Sequence, residues 1–224
     1  MPLLIGVIMS PADLDLALRM RKPPDLFELR LDRLLRIVDE LEKKLPRLRA
    51  PLIITARHPR EGGANRLSIR QRRDLLSRFL RRARYVDVEL RSASALRSIL
   101  EAARRKNVRR IISFHNLRST PDSRSLRAKA RAAKSCGADI FKVATRTDTP
   151  AQLGRLLDFV TKKGVDLAVS AMGIGKLGTV SRVLLTYCGS TLVYASVAAA
   201  SDIVGQMSIE QLRALGIGSG ARAS

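Results

Sequence analysis

The chain has 224 residues, and 42 Lys and Arg outnumber 20 Asp and Glu to give a formal net charge of +22 at pH 7. No run of about 18 apolar residues occurs, so no membrane-spanning helix is expected. Aromatic residues make up 4 % and Trp is absent, which argues against the stacking platforms of single-strand binders. Nucleic acid is therefore not the expected partner, and the positive field is available to anionic metabolites.

The first segment, "MPLLIGVIMSPADL", is apolar but lacks a basic leader and a small-residue cleavage site. It reads as a first strand rather than a signal peptide. "DLFELRLD" follows, then "PLIITAR", "YVDVEL", "RIISFH", "DIFKVAT", "DLAVSAM" and "TLVYASV". Helical stretches separate these eight short runs, as repeated βα units require. In "SIRQRRDLLSRFLRRAR", Leu75, Leu76, Phe79 and Leu80 share one face, and the arginines are expected to form a solvated face around it. "TPAQLGRLLDFVTKKG" opens with Thr149 as N-cap and Pro150 at the first helical position, and stops at Gly164. No linker divides the chain, so one domain over residues 1–224 is expected, with 217–224 as a frayed tail. Cys136 and Cys188 are too few for a disulfide framework, which points to a reduced, cytoplasmic setting. Alternating strands and helices in this number predict an α/β fold, the closed (β/α)8 TIM barrel, over an open doubly wound sheet.

Side chains two apart on a strand share a face. Glu28, Arg30 and Asp32 therefore lie together, as do Thr55 and Arg57, Asp87 and Glu89, and Ser113 and His115. Lys142 falls with Ile140 and Ala144, opposite Phe141 and Val143. Ion pairs stabilise a core less well than packed apolar layers do. So many inward charges near strand C-termini mark a site. Lys142 draws the most notice. Burial and nearby cations, expected from Arg30 and Arg57, would favour its neutral amine, a nucleophile that condenses with ketones. His115 suits proton transfer near neutrality. Glu61, in the glycine-rich "HPREGGAN", is the best candidate to orient it, while His58 is expected on the loop surface.

"FELRLD", "TARHPREGG", "ISFHN", "FKVAT" and "AMGIGKLGTVSR" come in that order, followed by Gly205-Gln206. With these motifs the chain resembles the type I 3-dehydroquinate dehydratases over nearly its whole length. The resemblance implies dehydration of 3-dehydroquinate, an anionic hydroxy-keto carboxylate, to 3-dehydroshikimate through a covalent imine. It implies that Lys142 forms the Schiff base, that His115 is general acid and base, and that Glu61 orients His115. Glu28, Arg30 and Arg57 would hold polar groups of the substrate, Arg182 its carboxylate, Met172 would line the site, and Gln206 would close over it. It also implies a homodimer and no cofactor or metal. Two departures stand out. Asn116-Leu117 follows His115 where relatives often carry Asp-Phe. The loop "AAASDIVGQ" lacks the usual Ala-Pro, so Ser201 and Asp202 both stand as candidates for substrate contact.

"GIGKLG" at 173–178 matches a dinucleotide-binding G-x-G-x-x-G literally, but it follows the seventh predicted strand rather than the first and lacks the acidic residue downstream. A phosphate loop at that place in a barrel is the stronger competitor. It keeps open an aldolase-type lyase that forms a lysine imine with a phosphorylated sugar.

Overall fold

All eight predicted strands are present in the computed structural model, which describes residues 2–162, 164–199 and 204–218. They are β1 (Leu3–Ile8), β2 (Leu26–Arg30), β3 (Leu52–Thr55), β4 (Tyr85–Glu89), β5 (Arg109–Asn116), β6 (Ile140–Arg146), β7 (Ala168–Ile174) and β8 (Leu192–Ser196). The helices between and after them are α1 (Pro11–Arg19), α2 (Val38–Lys44), α3 (Ile69–Phe79), α4 (Arg97–Arg105), α5 (Ser123–Ser135), α6 (Pro150–Thr161), α7 (Gly178–Tyr187) and α8 (Ile209–Ala214). Ladders run parallel in the order β7-β6-β5-β4-β3-β2-β1-β8.

The seam between β7 and β8 closes the ring without a regular ladder. The Thr191 amide donates to Val169 O at 2.8 Å. Hydroxyls do the rest: Ser170 Oγ donates to Leu192 O at 2.9 Å, and Ser190 Oγ accepts from the Ala171 amide at 3.0 Å. Small hydroxyl side chains here satisfy backbone groups that would otherwise be buried unpaired.

Strand alternation divides the interior into layers. Leu26, Ile53, Tyr85, Ile111, Ile140 and Leu192 pack together near the strand N-termini. Two residues further along, the same strands present Glu28, Thr55, Asp87, Ser113, Lys142 and Tyr194. Phe141 and Val143 face the other way, into the larger apolar layer beneath the helices. The bottom of the barrel is thus an apolar plug, and the charges sit above it.

Helix starts follow local chemistry. Ser68 caps α3 and Thr149 caps α6, each in a reciprocal capping box with Gln71 or Gln152. Pro150 holds the first helical position of α6. That helix ends at Thr161, and Gly164 adopts φ +61° just beyond it. One expectation for α3 is corrected. Leu76, Phe79 and Leu80 are buried as predicted, but Arg72 is not part of a solvated face and is only 1 % exposed. It stands four residues before Leu76 and seven before Phe79, on the helix's inward stripe.

Candidate active site

A pocket of about 240 Å³ opens at the C-terminal ends of the strands. Its lining includes Glu28, Arg30, Arg57, Glu61, His115, Lys142, Met172, Arg182 and Gln206, with Val7, Met9, Leu117, Ile174 and Tyr194 among its apolar walls. Of the ten residues expected in the site, nine meet in this one cavity. The tenth, Ser201, lies outside the described residues, as does Asp202.

Lys142 sits on β6 inside the ring and is 3 % exposed. Its Nζ lies 3.1 Å from Asp87 Oδ2, 3.3 Å from Glu28 Oε1 and 3.8 Å from the centroid of the Tyr194 ring. The expected neighbours were the cations Arg30 and Arg57. The neighbours found are carboxylates and an aromatic face, so the resting nitrogen is held in ion pairs. Arg30 is taken up by Asp32 on its own strand's end, through Nε–H at 3.0 Å and a second N–H at 2.9 Å. Arg57 grips both Asp87 oxygens, at 3.0 and 2.9 Å, and also donates to Ser113 Oγ at 2.7 Å. Burial alone would raise the Asp87 carboxyl, but Arg57 and Lys142 outweigh it and hold it far below the usual carboxylate range. Burial is likewise outweighed at Arg57, whose proton Asp87 and Glu89 hold more firmly than usual.

The loop after β3 delivers Glu61 to His115. Glu61 Oε2 accepts from the His115 amide at 2.9 Å and lies 3.0 Å from its Nδ1. Burial and the nearby Glu89 charge push the Glu61 carboxyl up to about 7. Burial, Arg57 and Lys142 push His115 well below 6.5, so its imidazole is neutral near pH 7. Carboxyl and ring are in direct hydrogen-bond contact, so a charge change on one acts on the other. The loop's glycines are structural requirements: Gly62 adopts φ +85°, and a Cβ on Gly63 would lie 2.1 Å from Arg57 O. Asp32 pins the same loop by accepting from the Arg57 amide at 3.2 Å and the Ala64 amide at 3.0 Å. His58, expected on the loop surface, is half-buried, and its Nδ1 accepts from the Arg60 amide at 3.0 Å.

Arg182 projects from α7 and is buried. It donates to Gly205 O at 2.9 Å and Tyr194 O at 3.4 Å, and among the described residues no carboxylate pairs with it. Burial lowers its proton affinity to about 10, which still leaves it charged at neutral pH. The "GIGKLG" turn has no free amides for a phosphate. Gly175 N donates to Val204 O, Leu177 N to Thr147 O and Gly178 N to Gly175 O, and Lys176 N donates to Asp148 Oδ1 at 2.9 Å. Its glycines serve packing instead: a Cβ on Gly178 would lie 2.8 Å from Gly205 Cα. The first departure noted in the sequence also resolves. Asn116 Oδ1 accepts from the Arg118 amide at 3.0 Å and the Ser119 amide at 3.2 Å, a turn-forming role an aspartate would fill equally.

Sequence reasoning gave no role to Asp87, Glu89, Ser113, Tyr194 or Arg72. Strand alternation placed the first three on the inward face, but not beside Arg57. The Tyr194 hydroxyl is buried without a hydrogen-bond partner among the described residues. No group of three or more His, Cys, Asp or Glu among the described residues is arranged to hold a metal.

This is the build of a (β/α)8-barrel enzyme, with its polar groups gathered at the C-terminal ends of the strands. The model of the type I 3-dehydroquinase family matches residues 10–216, and the chain belongs to that family of lyases. It is 35 % identical over 196 residues to the 3-dehydroquinate dehydratase of Pyrococcus abyssi, covering 85 % of this chain and 86 % of that one. It is 32 % identical over 207 residues to the enzyme of the same name from Shouchella clausii, covering 87 % and 80 %. The crystal structure of 3-dehydroquinate dehydratase from Geobacillus kaustophilus superposes with a TM-score of 0.83 at 26 % identity, over 96 % of this chain and 90 % of that one.

Proposed function

We propose that this chain dehydrates 3-dehydroquinate to 3-dehydroshikimate through an imine on Lys142. The observation that carries the reading is a buried amine on β6 that shares one pocket with His115 on β5 and with a buried guanidinium, Arg182, lacking a carboxylate partner among the described residues.

A planar guanidinium matches a carboxylate fork, so Arg182 holds the substrate's carboxylate and sets its ring over Lys142. Lys142, its proton passed to His115, attacks the C3 ketone. The carbinolamine then loses water, for which His115 supplies the proton, and the iminium forms. That cation draws electrons from the adjacent C–H, His115 removes the C2 proton, and an enamine results. The enamine expels the C1 hydroxyl, which leaves as water with the proton from His115, and the iminium is restored in conjugation. Water hydrolyses it, which frees the ketone product and the amine. A neutral imidazole is ready as base, and the elevated Glu61 steadies it in both states. Arg30 and Glu28 address substrate hydroxyls, Met172 packs on the ring, and Gln206 closes from the loop after β8.

The reading is tested by incubating the protein with 3-dehydroquinate and borohydride, then mapping peptides by mass. A reduced adduct on Lys142, with turnover of 3-dehydroquinate and none of sugar phosphates, is expected. An adduct elsewhere, or turnover of sugar phosphates alone, would overturn it. A second outcome concerns Arg182→Met. Losing one partner of a desolvated, hydrogen-bonded charge pair typically costs 2–5 kcal/mol, so KM should rise about 10²-fold, with a smaller change in kcat. Steady-state kinetics checks this, and an unchanged KM would remove Arg182 from carboxylate binding.

A further inference from the structure

Arg72 belongs to no step of that mechanism, yet it is among the most deeply buried charges in the molecule. From α3 it reaches between the C-terminal ends of β3 and β4. Its Nε–H donates to Ala56 O at 2.7 Å, one terminal nitrogen donates to Ser92 Oγ at 3.0 Å, and the other pairs with Glu89 Oε2. Glu89 in turn accepts, through Oε1, the His58 amide at 2.8 Å and an Arg57 N–H at 3.3 Å. The His58 carbonyl accepts the Glu61 amide at 2.9 Å and the Gly63 amide at 3.1 Å. Glu61 then meets His115. Hydrogen bonds, joined through the backbone of His58 and the side chain of Glu61, therefore link a helix side chain to the imidazole.

We propose that Arg72 is a positioning residue for the proton-transfer pair. Through Glu89 and the His58 peptide it fixes the Glu61 carboxyl against His115, and it neutralises the buried charge that this pair feels. The assignment of chemistry to the pair rests on the dehydratase reading; the electrostatic coupling does not.

The charges around the pair define the sign. Glu61 faces Glu89 and Arg91 from the end of β4 and the turn after it, Arg57 from β3 and His115 from β5. Arg60 and Lys129 line the outer cavity that Glu61 and His115 share. His115 faces Arg57, Lys142, Asp87 and Arg30. Removing the Arg72 cation leaves Glu89 less compensated. Its negative potential then favours protonation of the pair, and removing the Glu89 charge does the reverse.

Histidine NMR reads this directly, because the chain has only two histidines and His58→Gln assigns the other. In Arg72→Ala the apparent midpoint of the His115–Glu61 pair should rise by about half a pH unit or more, and in Glu89→Gln it should fall by a similar amount. Arg72→Lys, which keeps the charge, should move it less than Arg72→Ala. Arg72 also borders a side cavity of about 260 Å³ with His58, Leu67 and Ser92. Added guanidinium should therefore return the Arg72→Ala midpoint toward the native one. The acid limb of kcat/KM should follow each shift. Lowered thermal stability with midpoints unmoved in every variant would make Arg72 a purely structural residue and overturn the proposal. Should Arg72→Ala fail to fold, Arg72→Lys and Glu89→Gln decide it, since both moving the same way contradicts the sign above. Shifted midpoints in a protein without turnover of 3-dehydroquinate would sink the dehydratase reading and leave the coupling standing.

Discussion

Replacing Lys142 by alanine should remove both the borohydride-trapped adduct and turnover, the latter by about 10⁴-fold or more, the order lost when the nucleophile of a covalent mechanism is deleted. Among the described residues lining the pocket, this nitrogen is the only group that can bond covalently to the ketone and then serve as an electron sink. Its loss also strips Glu28 and Asp87 of a cation, and breaking buried pairs is destabilising. Lys142→Arg separates the two effects. It keeps a cation between the carboxylates but forms no imine, so it should fold with near-native thermal stability and remain inactive. Normal turnover in either variant would refute the covalent route.

His115→Ala should lower kcat by about 10²- to 10⁴-fold, the usual worth of a positioned acid and base, while substrate affinity changes less. Glu61→Gln keeps the shape and removes the titration. The pH dependence of folding tests the pair separately. His115 is depressed below its unfolded 6.5 by burial, Arg57 and Lys142, so the unfolded chain takes its proton first as pH falls. The contribution of His115 is present above about 6.5 and is lost on acidification. Glu61 is raised from 4.5 to about 7 by burial and Glu89, so its contribution is full below about 4.5 and is lost as pH rises through about 7. Between pH 5 and 8 the native protein should therefore lose thermal stability relative to Glu61→Gln. Parallel curves would show that Glu61 titrates normally.

The barrel was legible because short apolar strands recur between helical stretches, polar residues alternate with apolar ones on β2, β4 and β5, and five of the eight described helices carry a side-chain N-cap, as at Ser68 and Thr149. Glu61 was picked out by its glycine-rich loop, and the inward placement of Lys142 and His115 by alternation, which says which side chains point inward. It does not say which inward residues meet. Arg30 is consumed by Asp32 two positions on, and Lys142 meets Glu28 from across the ring. These are matters of strand tilt and stagger, which no single segment encodes. Arg72 was hidden by its company. In a run of arginines composition says "surface", and only its spacing to Leu76 and Phe79 says otherwise. Tyr194 was hidden by an apolar strand that made it look like packing, and its ring does pack, but against an ammonium.

The buried charges hold a last consequence. Arg30, Arg57, Arg72, Lys142 and Arg182 stand against Glu28, Asp32, Glu61, Asp87 and Glu89, five of each sign. Among the described residues Arg182 alone of these cations has no carboxylate partner, and the Glu61 carboxyl is pushed up to about 7. With Glu61 protonated these charges sum to one positive unit, which a monoanion would balance and a doubly charged phosphate would overshoot. On the dehydratase reading the departing fragment is neutral water, so the occupant bears the same unit of charge after the reaction as before. Turnover then gets no electrostatic help in ejecting what it has made.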